Sequence, residues 1–267
     1  MKDKKGFTLI ELLVVISIIA VLMAIMMPAL GKVRQMAKLT ICKTRLKNLG
    51  SATLAYAASN DNKLPIAFFQ SDAGVYSSTW QSYVMKETDD YPAPRSWVNS
   101  EKYGSEIFGF GFLWQGKYLD DSEIFICPGV KKEEANRESF ERNLSNFDED
   151  YVQRLDAKYS YIPLTKAPHR SGNSIQYWKT AKRASDLSGS SAMCMDKMRG
   201  ISDFYHTTGK GSNARPLINI CFGDGHIVTS DNREFFTNEK VAELQALTGE
   251  AIIPWRDLFN FLDTVEK

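Results

Sequence analysis

Three histidines and four cysteines carry most of the chemistry open to this chain of 267 residues. His206, Asp224 and His226 combine two imidazoles with a carboxylate, a donor set suited to a divalent cation or to acid–base work. The same residues have a plainer use. Asp224-Gly225 is a hairpin-turn dipeptide, and His226 beside it serves packing or a hydrogen bond. His169 lies in a Pro- and Gly-bearing stretch that reads as a surface loop. Cys42, Cys127, Cys194 and Cys221 include no CxxC pair, which argues against a zinc ribbon. No run of closely spaced acids fits a calcium loop, and GxSxG, HExxH and phosphate-binding loops are absent from the sequence. The expectation is therefore no enzymatic activity, and no cofactor apart from a divalent cation at His206, Asp224 and His226.

Glu11 is the other residue with clear chemical meaning. Lys2, Lys4, Lys5 and Gly6 precede an apolar run over residues 7–30, which only Thr8, Glu11 and Ser17 interrupt with polar side chains and in which Pro28 sits near the end. A bilayer core of about 30 Å takes about 20 helical residues, so the run is long enough for one crossing. A carboxylate inside such a segment costs about 2.5–3.5 kcal/mol on insertion scales and calls for a partner. A cleaved secretory signal has a shorter apolar core and a small-residue cleavage site after it. Here the run passes into a helical pattern without such a break.

The elements that position these groups follow from composition and period. At 43% hydrophobic, 24% charged and a net charge of +1, the chain is neither disordered nor a dedicated nucleic-acid binder. A mean hydropathy of -0.29 rules out a multi-pass membrane protein. Leu39, Cys42, Leu46, Leu49, Thr53 and Tyr56 recur at intervals of three and four, one face of a helix. One helix is thus predicted from about 8 to 58, kinked at Pro28 where a backbone hydrogen bond is lost, and stopped by Asn60-Asp61-Asn62. Residues 66–105 read as a long irregular loop. Residues 108–119 and 123–127 are apolar enough to pack on the helix, and 131–150 form a charged, solvated helix or insertion. Strands are predicted at 191–195, 217–222 and 226–229. Asn238 caps a helix over 239–247, and a second begins at Pro254.

The order Gly6-Phe7-Thr8-Leu9-Ile10-Glu11, with a basic leader before it and an apolar helix after it, resembles the processing signal of type IV pilins and type II secretion pseudopilins. The resemblance implies that a prepilin peptidase cuts after Gly6 and that Phe7 becomes the N-methylated first residue. Residues 1–6 are then a leader, 7–30 a transmembrane assembly helix, and 31–267 an extracytoplasmic head. It also implies that Glu11, next to Thr8, neutralises the terminal amine of a neighbouring subunit. Lysine and arginine counts alone argue for the opposite orientation, because Lys32, Arg34, Lys38, Lys43, Arg45 and Lys47 follow the apolar run.

A second set of residues resembles a branch of pilin-like proteins marked by an H-x9-DG segment: Asn48-Leu49, Tyr56, Asn60-Asp61, Leu64-Pro65, Cys127-Pro128, Tyr159-Ser160-Tyr161 and the run from Asn219 to His226. His206 precedes Asp224 with 17 residues between them instead of nine, a gap that an insertion at 210–216 would explain. The implied fold is α+β: a long N-terminal helix whose second half packs on a small antiparallel sheet, with C-terminal helices. The implied role is a structural subunit of a type IV pilus or a type II secretion pseudopilus, single-pass in the inner membrane or at the cell surface in a filament. Its partners would be other pilin or pseudopilin subunits, prepilin peptidase, the inner-membrane assembly machinery and the membrane, with no nucleic acid. An extracytoplasmic head permits disulfides. The pairings expected are Cys194–Cys221 in neighbouring strands and Cys42–Cys127 across the helix face, against four buried thiols. The rival reading is a head exported on a pilin-type helix that acts as a metal-dependent enzyme or binds carbohydrate through Trp80, Tyr83, Tyr91 and Trp97. Those aromatics would otherwise form the mini-core of their own loop.

Overall fold

Helix α1 runs over Leu9–Ser59 in a computed structural model of the chain, about 76 Å at 1.5 Å per residue. The structure describes residues 8–65, 83–86, 107–129, 155–156, 159–171, 174–196, 206–208 and 215–231, together with 237, 239 and 265. Pro28 lies inside α1. The helix stops where the sequence predicts. Asn60 is the C-cap, and Asp61 and Asn62 adopt φ of 52° and 64°, a left-handed turn that Asn and Asp tolerate.

The two halves of α1 face different surroundings. Cys42, Leu46, Leu49 and Thr53 are fully buried, as their spacing requires, and Leu39 and Tyr56 are half-buried. In the first half the apolar residues occupy every side of the helix, and every Leu, Ile, Val and Met over 9–36 is exposed, from Leu9 at 86% to Ile19 at 45%.

The buried half lies on a five-stranded antiparallel sheet of order β10-β9-β6-β4-β5: β4 Tyr159–Ser171, β5 Ser174–Thr180, β6 Ala192–Asp196, β9 Ile218–Phe222 and β10 Ile227–Ser230. The central strands β6 and β9 are buried at every position. Gly50 brings helix and sheet together, since a Cβ there would stand 2.6 Å from Cys221 Sγ and 2.9 Å from Met193 Cε. A second sheet of order β2-β1-β3 joins β1 Tyr83–Lys86, β2 Ile107–Gly109 and β3 Leu155–Asp156. Short helix α2 (Gly111–Gln115) and a 3-10 turn (Ser122–Phe125) pack on α1, as expected of 108–119 and 123–127. Tyr56 meets Phe112 at 5.7 Å, and Phe110, Leu113 and Phe125 are fully buried. The fold is thus α+β, a long apolar N-terminal helix packed on a small antiparallel sheet.

Strand β4 corrects the sequence reading. His169 lies within it, opposite Gln176 of β5, rather than in a loop. Pro163 and Pro168 suggest a loop because proline cannot donate to a ladder. The strand accommodates both at irregularities, since its register shifts between Tyr161 and Leu164 on the β6 side and between Lys166 and His169 on the β5 side. Strand β1 likewise falls inside the stretch 66–105 expected to be irregular. The rest of that stretch, the charged segment 131–150 and the expected C-terminal helices lie outside the described residues. The exceptions are Glu239 and Val265, both helical, and Val265 packs on the core.

Candidate functional site

At the start of α1, Thr8 is an extended N-cap (φ -84°, ψ 149°). Its backbone N–H and its hydroxyl each donate to Glu11 Oε2 at 2.8 Å, and the Glu11 N–H donates to Thr8 Oγ1 at 3.3 Å. This capping box satisfies donors that a helix start leaves open and places a carboxylate at the positive end of the helix dipole. Glu11 is the one charged residue over 9–31. Gly6 and Phe7 lie outside the described residues.

The second constellation joins three distant parts of the chain. Cys42 projects from the packing face of α1. Cys127 follows the 3-10 turn, whose start Asp121 caps by accepting from the Glu123 N–H at 2.9 Å. Arg45 ties that turn to α1 through an ion pair with Glu123 (2.8 Å) and a short hydrogen bond to the Ile126 carbonyl. His206 enters just before β7 (Thr207–Thr208), and its carbonyl accepts from the Leu217 N–H at 2.9 Å, next to β9. The ring nitrogen His206 Nε2 stands 3.0 Å from Cys42 Sγ and 3.2 Å from Cys127 Sγ, and the two sulfurs are 2.6 Å apart. All three residues are buried.

Electrostatics set the cluster apart from ordinary core thiols. Burial opposes ionisation of Cys42, but hydrogen bonds from Cys127 and His206 and the imidazole charge outweigh it and bring this thiol down to about 5. Burial, then the neighbouring Cys42 sulfur, pushes Cys127 up. Burial lowers His206, yet Cys42 and Asp196 outweigh it and hold the imidazole above its ordinary value. Asp196, at the end of β6, is pushed up to about 7 by burial and by Cys42. Its Oδ2 accepts from the Asn219 backbone N–H (2.9 Å) and side-chain amide (2.8 Å), and Asn219 Oδ1 accepts from Thr229 at 2.6 Å. Asp196 Oδ1 and the buried Tyr159 hydroxyl have no hydrogen-bond partner among the described residues.

The structure divides the histidine–aspartate set expected from sequence. Asp224 and His226 sit on the exposed β9–β10 turn, where Asp224 Oδ1 accepts from the His226 N–H (3.0 Å) and Nδ1 (2.5 Å), and the imidazole stacks on Phe222 at 4.5 Å. These two hydrogen bonds hold the Asp224 carboxyl below its usual range. Gly225 takes φ 83°, as the hairpin turn demands. His206 belongs to the opposite end of β9, about 16 Å away for a five-residue strand, and joins Cys42 and Cys127 instead. Cys194 lies opposite Cys221 in the β6–β9 register, so both cysteine proximities expected from sequence occur. The Cys42–Cys127–His206 grouping is absent from the sequence reading because no spacing announces it. Its one legible sign is the pairing of a helix-face cysteine with Cys127-Pro128. Of the aromatics considered for carbohydrate, Tyr83 belongs to β1, and Trp80, Tyr91 and Trp97 lie outside the described residues.

No curated protein and no solved structure matches the chain. Residues 1–27 match the prokaryotic N-terminal methylation motif. That match covers the basic leader, Gly6-Phe7 and the capping box, and it runs into the one described helix long and apolar enough to cross a membrane. The chain therefore carries a type IV pilin-like prepilin signal at its N-terminus.

Proposed function

We propose that this protein is a structural pilin-like subunit that assembles through α1 into a type IV pilus or a type II secretion pseudopilus. Prepilin peptidase cleaves after Gly6, the leader faces the cytoplasm, and the head lies outside. One observation carries this reading: the same helix is buried core over its second half and bare apolar surface over its first. Each buried Leu, Ile, Val or Met contributes roughly 1.5–3 kcal/mol over the exposed state, so a bare rod of this length needs a cover. Lipid covers it before assembly, and neighbouring helices cover it afterwards. The role is structural rather than catalytic, in keeping with thiols at Cys42 and Cys127 that are buried in the core.

Gly6→Val tests this. The variant keeps residues 1–6, stays in the membrane at full precursor mass, and is lost from sheared surface filaments or from the pseudopilus fraction. Mass spectrometry of both fractions reads the outcome, and a cleaved or filament-borne Gly6→Val chain contradicts the proposal.

A further inference from the structure

We propose that Cys42 Sγ, Cys127 Sγ and His206 Nε2 bind one zinc ion, which clips helix α1 to the 3-10 turn and to the β7 segment. Their three donor atoms lie within 4.8 Å of one another and come from segments 85 and 164 residues apart in pairwise contact. Two thiolates and an imidazole are the soft and borderline donors that zinc prefers.

Three further observations point to a cation. Asp196, fully buried, is close enough to interact electrostatically with Cys42 and His206, and its Oδ1 has no hydrogen-bond partner among the described residues. The buried Tyr159 hydroxyl also lies against this group, and it interacts with Cys42, Cys127 and Asp196. A cavity of about 420 Å³ opens beside His206, with Lys32, Lys38, Gly129, Thr207 and Leu217 also in its wall. It supplies the entry path that a metal site needs and room for a water as fourth ligand.

Binding is balanced as two thiols losing two protons to solvent while two sulfur–zinc bonds and one nitrogen–zinc bond form, which leaves a neutral centre. A tetrahedral ion with sulfur bonds near 2.3 Å seats the sulfurs about 3.8 Å apart, so entry of the ion parts Cys42 from Cys127. A disulfide between the same two sulfurs is the competing chemistry, and the two states exclude each other. The site stands independently of the assembly role.

The test uses the full chain extracted from membranes in detergent without chelator. Elemental analysis should find one zinc per chain. Replacement by Co2+ should give the sulfur-to-cobalt charge-transfer and d–d bands of a tetrahedral two-thiolate site. Stripping with a chelator should lower the thermal midpoint, and Zn2+ alone should restore it. Cys42→Ser and His206→Ala should each reduce bound zinc at least tenfold, while Cys194→Ser keeps it. The cobalt spectrum and the chelation cycle use the unsubstituted chain, so the result does not depend on whether a variant folds. A Cys42–Cys127 disulfide in a non-reducing digest, two free thiols with no bound zinc, or zinc retained by Cys42→Ser,Cys127→Ser would each overturn the proposal.

Discussion

Glu11→Val is expected to leave leader cleavage intact and to reduce incorporation of the chain into filaments at least a hundredfold. The expectation rests on the proposed pairing of this carboxylate with the terminal amine of a neighbouring copy. Both charges would lie at membrane depth, where removing one member of a buried pair costs about 3–5 kcal/mol. At about 1.4 kcal/mol per factor of ten, that is about two to three and a half orders of magnitude. The variant also loses the capping box with Thr8, worth about 1 kcal/mol. Glu11→Gln separates the two contributions. Glutamine accepts from the Thr8 N–H as glutamate does, but it carries no charge. Failure of Glu11→Gln alongside Glu11→Val assigns the effect to charge pairing, and rescue assigns it to the cap. Immunoblots of sheared filaments against membranes give the ratio. Full incorporation of Glu11→Val would falsify the pairing.

Gly50→Leu is expected to lower the thermal midpoint of the full chain in detergent by about 6–12 °C, the shift for roughly 3 kcal/mol in a domain of this size. Gly50 faces the centre of the sheet, and its missing Cβ leaves room for Cys221 Sγ and Met193 Cε. Met193 is flexible and can yield at its tip. Cys221 is short and anchored in β9, buried at every position, so a leucine must push the helix off the strand. Gly50→Ala sets the scale. It gains about 1 kcal/mol of helix propensity against the same contacts, and should fall between wild type and Gly50→Leu. Circular dichroism melts give all three. A Gly50→Leu midpoint within 2 °C of wild type contradicts the close approach of α1 to β6 and β9.

The parts of this molecule written in local spacing were legible. The three-and-four rhythm from Cys42 to Thr53 marks the buried face of α1, and Asn60-Asp61-Asn62 marks its end. Asp224-Gly225 marks the β9–β10 turn, and the run over 217–222 marks β9. The β4–β5 hairpin was not legible, because Pro163 and Pro168 look like loop residues until a bulged ladder accepts them. The thiol–imidazole cluster was not legible for a different reason. It depends on closing segments 79 to 164 residues apart, and tertiary packing alone decides which histidine meets which cysteine. His206 looked like a partner of Asp224 because both lie in the C-terminal third, yet β9 holds them at its opposite ends.

The retained helix is the centre of the account, and the N-terminus of the native protein tests it most directly. Mass spectrometry of the chain recovered from its own envelope should show a mature form that begins at N-methylated Phe7, with the apolar residues 9–30 still attached to the head. A chain that keeps residues 1–6, or one that begins beyond Leu30, contradicts it.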